Sequence, residues 1–215
     1  MTTKEYLFDT KLSNTTTITE IGQDNGQFWV RLGQTIFHPQ GGGQKADCGN
    51  IQDIPVNQVV HIDGDVNHYV ESIENLQVGQ EVSTYVDGDW RLANSKLHTA
   101  GHLIAALLEQ EFSGIKPTGA HHWPGESRVE FTGDNLPTPE TIESYLTNAL
   151  QQAIQHDLPV NILGSLTTSR SIQIGTFSAV PCGGTHLQNL GQLELVEITG
   201  VKIKKGKLRI SYQTA

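Results

Sequence analysis

The sequence predicts an α+β fold in two parts, a small N-terminal β-barrel over residues 1–89 and an α+β unit over residues 90–215. Three observations predict it. Short apolar segments between turn residues fill the first part, helical periodicity sets in after Trp90, and helix and strand patterns alternate from there onward.

In the first part, Gln27–Leu32 follows the turn signal Asp24-Asn25-Gly26 and reads as a strand. Val56–Ile62 is closed by Asp63-Gly64-Asp65, and Glu81–Val86 precedes Asp87-Gly88-Asp89. In the second part, Leu97, Ala100, Ile104, Leu107 and Leu108 share one face of a helix running from about Asn94 to Phe112. Thr138-Pro139 supplies a cap and a first-turn proline for a second helix, striped by Ile142, Leu146, Ala149 and Ala153.

At 215 residues and 36% hydrophobic, the chain suits one large or two small domains. It has no apolar run of about 18 residues, and Met1–Glu5 leads into no apolar leader segment, so membrane insertion and secretion are not expected. Its two cysteines, Cys48 and Cys182, lie in different motifs and give no disulfide framework. A reducing cytoplasm is the expected compartment.

A net charge of −9 argues against a generic nucleic-acid binder. The excess is confined to residues 1–89, with 4 basic and 13 acidic side chains, while residues 90–215 hold 10 of each. A basic run near the end, Lys202, Lys204, Lys205, Lys207 and Arg209, suits either phosphate contacts or a solvated hairpin face.

Two short motifs carry chemistry. In His98-Thr99-Ala100-Gly101-His102, imidazoles four residues apart on a helix lie on one face, as two ligands of one ion must. In Cys182-Gly183-Gly184-Thr185-His186, the glycines free the backbone to bring a thiolate and an imidazole to the same point. Together they offer one Cys and three His, a set suited to tetrahedral zinc. Four bound ligands would close a structural site, whereas three would leave a position for water. A zinc metalloprotease is excluded, because that chemistry needs Glu directly after the first His and this chain has Thr99. A third motif, Gly41-Gly42-Gly43-Gln44, lacks the Lys-Ser/Thr of a phosphate-binding loop and reads as a turn or as a place of close backbone approach to a ligand.

These residues resemble the free-standing alanyl-tRNA editing proteins of the AlaX type, which are similar to the editing domain of alanyl-tRNA synthetase. The motifs that carry the resemblance are His98–His102, Pro181–His186, and Phe37-His38-Pro39-Gln40-Gly41-Gly42-Gly43-Gln44 with Asp47 and Gly49. The related threonyl-type editing domain has a different Cys motif, so the alanyl type fits better. Cys48 departs from the pattern and is expected to be a small packed residue rather than a further ligand.

The resemblance implies a barrel bearing the glycine motif, followed by an editing domain of the threonyl/alanyl-tRNA synthetase additional-domain type. It implies zinc bound by His98, His102, Cys182 and His186, which act in catalysis through the metal. The implied substrate is mischarged tRNA(Ala), carrying serine or alternatively glycine, and no protein partner is required. Gly41, Gly42, Gly43 and Gln44 would meet the terminal adenosine or aminoacyl group, with Gln44 an exposed loop side chain. Thr118 is a candidate for bonding the serine hydroxyl, and the Lys202–Arg209 run for binding the tRNA. The rival readings are a non-catalytic tRNA-binding module with structural zinc, and a zinc hydrolase of a small ester or amide.

Overall fold

The computed structural model describes residues 1–165 and 169–215. The first part contributes β1 (Thr3–Lys4), β2 (Ser13–Asp24), β3 (Gln27–Leu32), β4 (Gln34–Thr35), β5 (Gly49–Ile51), β6 (Ile54–Ile62), β7 (Asp65–Val70) and β8 (Glu81–Val86). Six of these strands hydrogen-bond in the closed order β2-β3-β7-β6-β5-β8, with β8 returning to β2. The tight β2–β3 and β6–β7 hairpins turn on Asn25-Gly26 (φ 48° and 81°) and Asp63-Gly64 (φ 51° and 87°). Positive φ at both central residues matches the twist of the flanking strands. Inside lie Ile18, Val30, Leu32, Phe37, Ile51, Val59 and Val82, all essentially inaccessible.

The second part runs α1 (Gly88–Glu111), β9 (Lys116–His121), β10 (Arg128–Thr132), α2 (Pro139–Gln155), β11 (Val160–Leu163), β12 (Ser171–Ile174), β13 (Val180–Pro181), β14 (Val196–Lys204) and β15 (Lys207–Thr214). Four strands form one sheet in the order β14-β15-β10-β9, and β11-β12-β13 form a second. A second hydrophobic cluster joins Leu103, Ile104 and Leu108 of α1, Ile142, Leu146 and Leu150 of α2, and Phe131, Leu208 and Ile210 of the larger sheet. The fold is therefore α+β, and each part buries a core of its own.

Helix α2 starts where Thr138-Pro139 predicts, with the Thr138 hydroxyl accepting from the Thr141 amide. Helix α1 starts earlier than expected, at Gly88 rather than near Asn94, because Asp87 caps it by accepting from the Trp90 amide at 2.9 Å. The extra turn is held by polar contacts, which apolar periodicity does not register. Arg91, 7% exposed, forms a buried ion pair with Asp47 and donates to the Ile36 carbonyl at 2.7 Å. Asp47 also accepts from the His38 amide at 2.5 Å. The Ile36–Asp47 segment is thereby fastened to the start of α1, which positions the glycine motif against the second part. No helix among the described residues is long and apolar enough to cross a membrane.

Candidate metal centre and adjoining cavity

His98 and His102 project from one face of α1, and Cys182 and His186 come from the loop that follows β13. One ligand atom from each of the four lies within 4.8 Å of every other, a cluster that could hold a metal ion. Cys182 Sγ is 3.5 Å from His98 Nε2 and 3.1 Å from His186 Nε2, and the His98 and His102 rings stack at 5.0 Å. Gly184 permits this convergence. A Cβ there would fall 2.1 Å from His98 Cε1 and 2.7 Å from Gln44 Oε1, so any side chain would drive the loop off the helix. Cys48 lies outside the cluster.

The hydrogen bonds around the cluster fix the tautomer of His98. Gln44 Oε1 is a carbonyl oxygen and can only accept, so at 2.7 Å it takes the proton on His98 Nδ1 and leaves the Nε2 lone pair free. The same oxygen accepts from the Thr185 amide at 2.9 Å, while Gln44 Nε2 donates to Thr185 Oγ1 at 2.8 Å. Thr185 Oγ1 in turn lies 2.7 Å from Ser95 Oγ, one turn before His98 on α1. Thr99, the residue that excludes a metalloprotease, has its hydroxyl 3.2 Å from His186 Nδ1 and accepts from the Leu187 amide at 3.1 Å.

Burial sets the protonation of the ligands. It pushes His98 and His186 well below the ordinary imidazole range, with repulsion from the neighbouring imidazoles adding to the effect. His102 falls to about 4, chiefly from burial. Burial raises the Cys182 thiol, opposed by the Gly184 amide and by Arg170. Arg170 ties the loop down, donating from Nη1 to the Cys182 carbonyl and from Nε to the Leu7 carbonyl at 2.6 Å. The site thus gathers three neutral imidazoles and one thiol with no carboxylate among them, a donor set that could hold a cation, whose binding would displace the thiol proton.

A cavity of about 610 Å³ opens beside His102, between α1, the edge strand β9 and β12. Ala105, Ala106, Ile172, Ile174 and Phe177 make most of its wall apolar. His122, which belongs to none of the sequence motifs, also lines it. Only 3% exposed, His122 stacks on His98 at 4.5 Å, and burial lowers it to about 3.

The other expected site residues are distributed differently. Gln44 is not an exposed loop side chain but fully buried, with its amide turned inward to His98 and Thr185. Gly41 and Gly42 are exposed in a tight turn closed by paired backbone bonds between Gly41 and Gln44, and the Gly43 carbonyl accepts from the His122 amide at 2.8 Å. Thr118 is exposed and is not part of the cavity wall, because it is the extra residue of a bulge between the pairs Glu130↔Gly119 and Phe131↔Pro117. Lys202, Lys204, Lys207 and Arg209 face each other across the β14–β15 hairpin, with Lys205 in its turn. All five are exposed, none has an ion-pair partner among the described residues, and their hairpin lies across the sheet from β9. The structure does not bring them to the metal cluster.

Residues 169–211 match the family described as the threonyl and alanyl tRNA synthetase second additional domain. The chain is 29% identical to alanyl-tRNA editing protein AlaX-M of Methanosarcina acetivorans, over 95% of this chain and 93% of that protein. It is 30% identical to AlaX-M of Pyrococcus horikoshii over 84% of each chain. Against AlaX-L of the same organism it is 26% identical over 84% of its own length, but it spans only 50% of that longer protein. At 30% identity over 84% of both chains, the likeness to the Pyrococcus horikoshii AlaX-M shows that the chain belongs to the alanyl-tRNA editing protein family.

Proposed function

We propose that this protein is a trans-editing aminoacyl-tRNA deacylase, which hydrolyses the ester of mischarged Ser-tRNA(Ala), with Gly-tRNA(Ala) as a second substrate. The observation that carries the reading is the cluster of His98, His102, Cys182 and His186, whose His102 also lines an apolar cavity large enough for an aminoacyl group. Zinc is the metal proposed. A tetrahedron with Zn–N of about 2.0–2.1 Å and Zn–S of about 2.3 Å has N–S edges near 3.5 Å. The Cys182 Sγ separation of 3.5 Å from His98 Nε2 matches that edge, and the 3.1 Å to His186 Nε2 is somewhat shorter. When bound, the ion supplies a Lewis acid at the cavity wall.

The protein's own contribution is to hold, select and exclude. Gln44 and Thr99 orient His98 and His186, so these are positioning residues that act through the ligands. The apolar wall keeps bulk water away from the ester, and its volume limits the side chain admitted. Discrimination matters here because an alanine-activating site cannot strongly exclude glycine, which is smaller, or serine, which adds one hydroxyl.

The two hydrophobic cores support a division into a barrel domain, residues 1–89, and an editing domain, residues 90–215. Gly41–Gly43 are the proposed contact for the terminal adenosine, a reading supported by the bond from the His122 amide to the Gly43 carbonyl. Lys202, Lys204, Lys205, Lys207 and Arg209 meet tRNA phosphates farther from the ester. The test is a deacylation time course with purified protein on Ser-, Gly- and Ala-tRNA(Ala). Release of serine ahead of alanine supports the reading, and equal stability of all three esters with and without protein rejects it.

A further inference from the structure

His122 has no part in the metal cluster, yet its surroundings are specified on nearly every side. Its Nδ1 lies 2.5 Å from Tyr212 Oη, and Tyr212 Oη donates to the Leu97 carbonyl at 2.9 Å. A phenol has one proton, and the carbonyl can only accept it. Tyr212 Oη must therefore accept from His122 Nδ1–H, which leaves the lone pair of a neutral imidazole on Nε2. The Nδ1 edge is pressed against α1 at Gly101, where a Cβ would fall 2.3 Å from His122 Cε1 and 2.7 Å from Tyr212 Oη. Gly43 borders Cδ2, and one ring face lies on His98.

Only Nε2 is left over. It has no hydrogen-bond partner among the described residues, and it is not among the sealed polar atoms that lack one, so it reaches open space at the cavity wall. The other polar side chains of that wall do not match it. Glu109, Gln110, Thr176 and Ser178 are exposed at the mouth, and His102 belongs to the metal cluster. A desolvated acceptor discriminates more sharply than a wet one. A ligand with a donor satisfies it, and a ligand with a methyl group in the same place leaves it buried and unpaired.

We propose that His122 determines the specificity of the cavity, with Nε2 accepting a hydrogen bond from the side-chain hydroxyl of a seryl group. This rests on the editing reading above and names the residue that separates serine from alanine. Tyr212 is the positioning residue that keeps the lone pair on Nε2. Because Glu109 offers a carboxylate at the wetter mouth, the α-ammonium group has a better-matched partner there than a neutral imidazole.

Binding tests the proposal independently of turnover. The probes are 3′-serylamino-3′-deoxyadenosine and its alanyl counterpart, titrated into wild-type protein, His122→Phe, His122→Gln and Tyr212→Phe, with metal content and melting temperature measured on each sample. Wild type should bind the seryl probe about tenfold or more tighter than the alanyl probe, the difference expected for one buried hydrogen bond. His122→Phe, which keeps a flat ring on His98, should bring the two affinities within about twofold by weakening the seryl probe alone. His122→Gln, which restores an acceptor, should recover part of the preference, and Tyr212→Phe should lose part of it. Deacylation of Ser- and Ala-tRNA(Ala) by the same samples separates the two questions, since a wild type that prefers the seryl probe yet hydrolyses neither ester fails the editing reading and not the His122 assignment. The assignment is overturned if wild type binds the probes equally or not at all, or if His122→Phe at wild-type metal content keeps the seryl preference.

Discussion

The side-chain amide of Gln44 lies 2.7 Å from His98 Nδ1, across 54 positions of sequence and between the two hydrophobic cores. Its oxygen holds His98 in the tautomer that exposes Nε2 to the cluster and also accepts from the Thr185 amide in the second ligand loop. One residue of the glycine motif therefore steadies both halves of the candidate metal centre.

Gln44→Ala should lower metal affinity by about 10–100-fold, the usual loss when a ligand's orienting partner is removed. Because the side chain is fully buried, the substitution should also cost about 1–3 kcal/mol of stability. A chelator competition titration and a thermal melt measure the two effects. Wild-type values in both would mean that the amide neither orients His98 nor supports the loop.

The proposed contact between the hairpin lysines and tRNA phosphates would act through charge. Lys204 and Lys207 are directly paired across β14 and β15, so reversing both to Glu places the change on one spot of the surface. Binding of tRNA should weaken, and the slope of log affinity against log salt should flatten by about 0.9 or less for each phosphate that is no longer neutralised. A fluorescence-anisotropy titration at several salt concentrations reads the slope, and an unaltered slope would reduce this hairpin to a solvated face.

His68 gives the barrel an acid-sensitive spot. It is wholly buried, with Nε2 2.7 Å from Thr35 Oγ1 and Nδ1 3.1 Å from the Val30 carbonyl, and burial lowers it from 6.5 to about 4. The folded pKa is depressed, so the unfolded chain binds the proton more readily. The stability contribution is complete above about pH 6.5 and is lost as pH falls toward 4, by up to about 3 kcal/mol. Urea unfolding between pH 7.5 and 4.5 should show a steeper loss for wild type than for His68→Gln, which does not titrate. Parallel slopes would show that His68 takes no part in acid sensitivity.

The sequence makes legible what depends on short-range pattern. The ligand motifs declare themselves because residues four apart on α1 share a face and because two glycines flex the Cys182–His186 loop. Gly184 further shows why one of them can be nothing else. Helix α2 is legible from its cap and first-turn proline. Long-range polar contacts leave no such trace. The first turn of α1 is fixed by Arg91 and Asp47, 44 positions apart, and Gln44 reads as a loop residue until its partners His98 and Thr185 are known. His122 is hidden for the same reason, because its role depends on Tyr212, 90 positions away. Thr118 departs from expectation through a bulge, where one extra residue turns a side chain from the cavity to solvent.

Metal content and ester hydrolysis measured on the same samples test the central claim most directly. Wild type purified without chelator should carry about one zinc per chain and deacylate Ser-tRNA(Ala), and Cys182→Ala and His102→Ala should lose zinc and activity together because a tetrahedral site loses a strong ligand. Native-purified protein that contains no zinc yet hydrolyses Ser-tRNA(Ala) at a rate unchanged in Cys182→Ala would contradict the account.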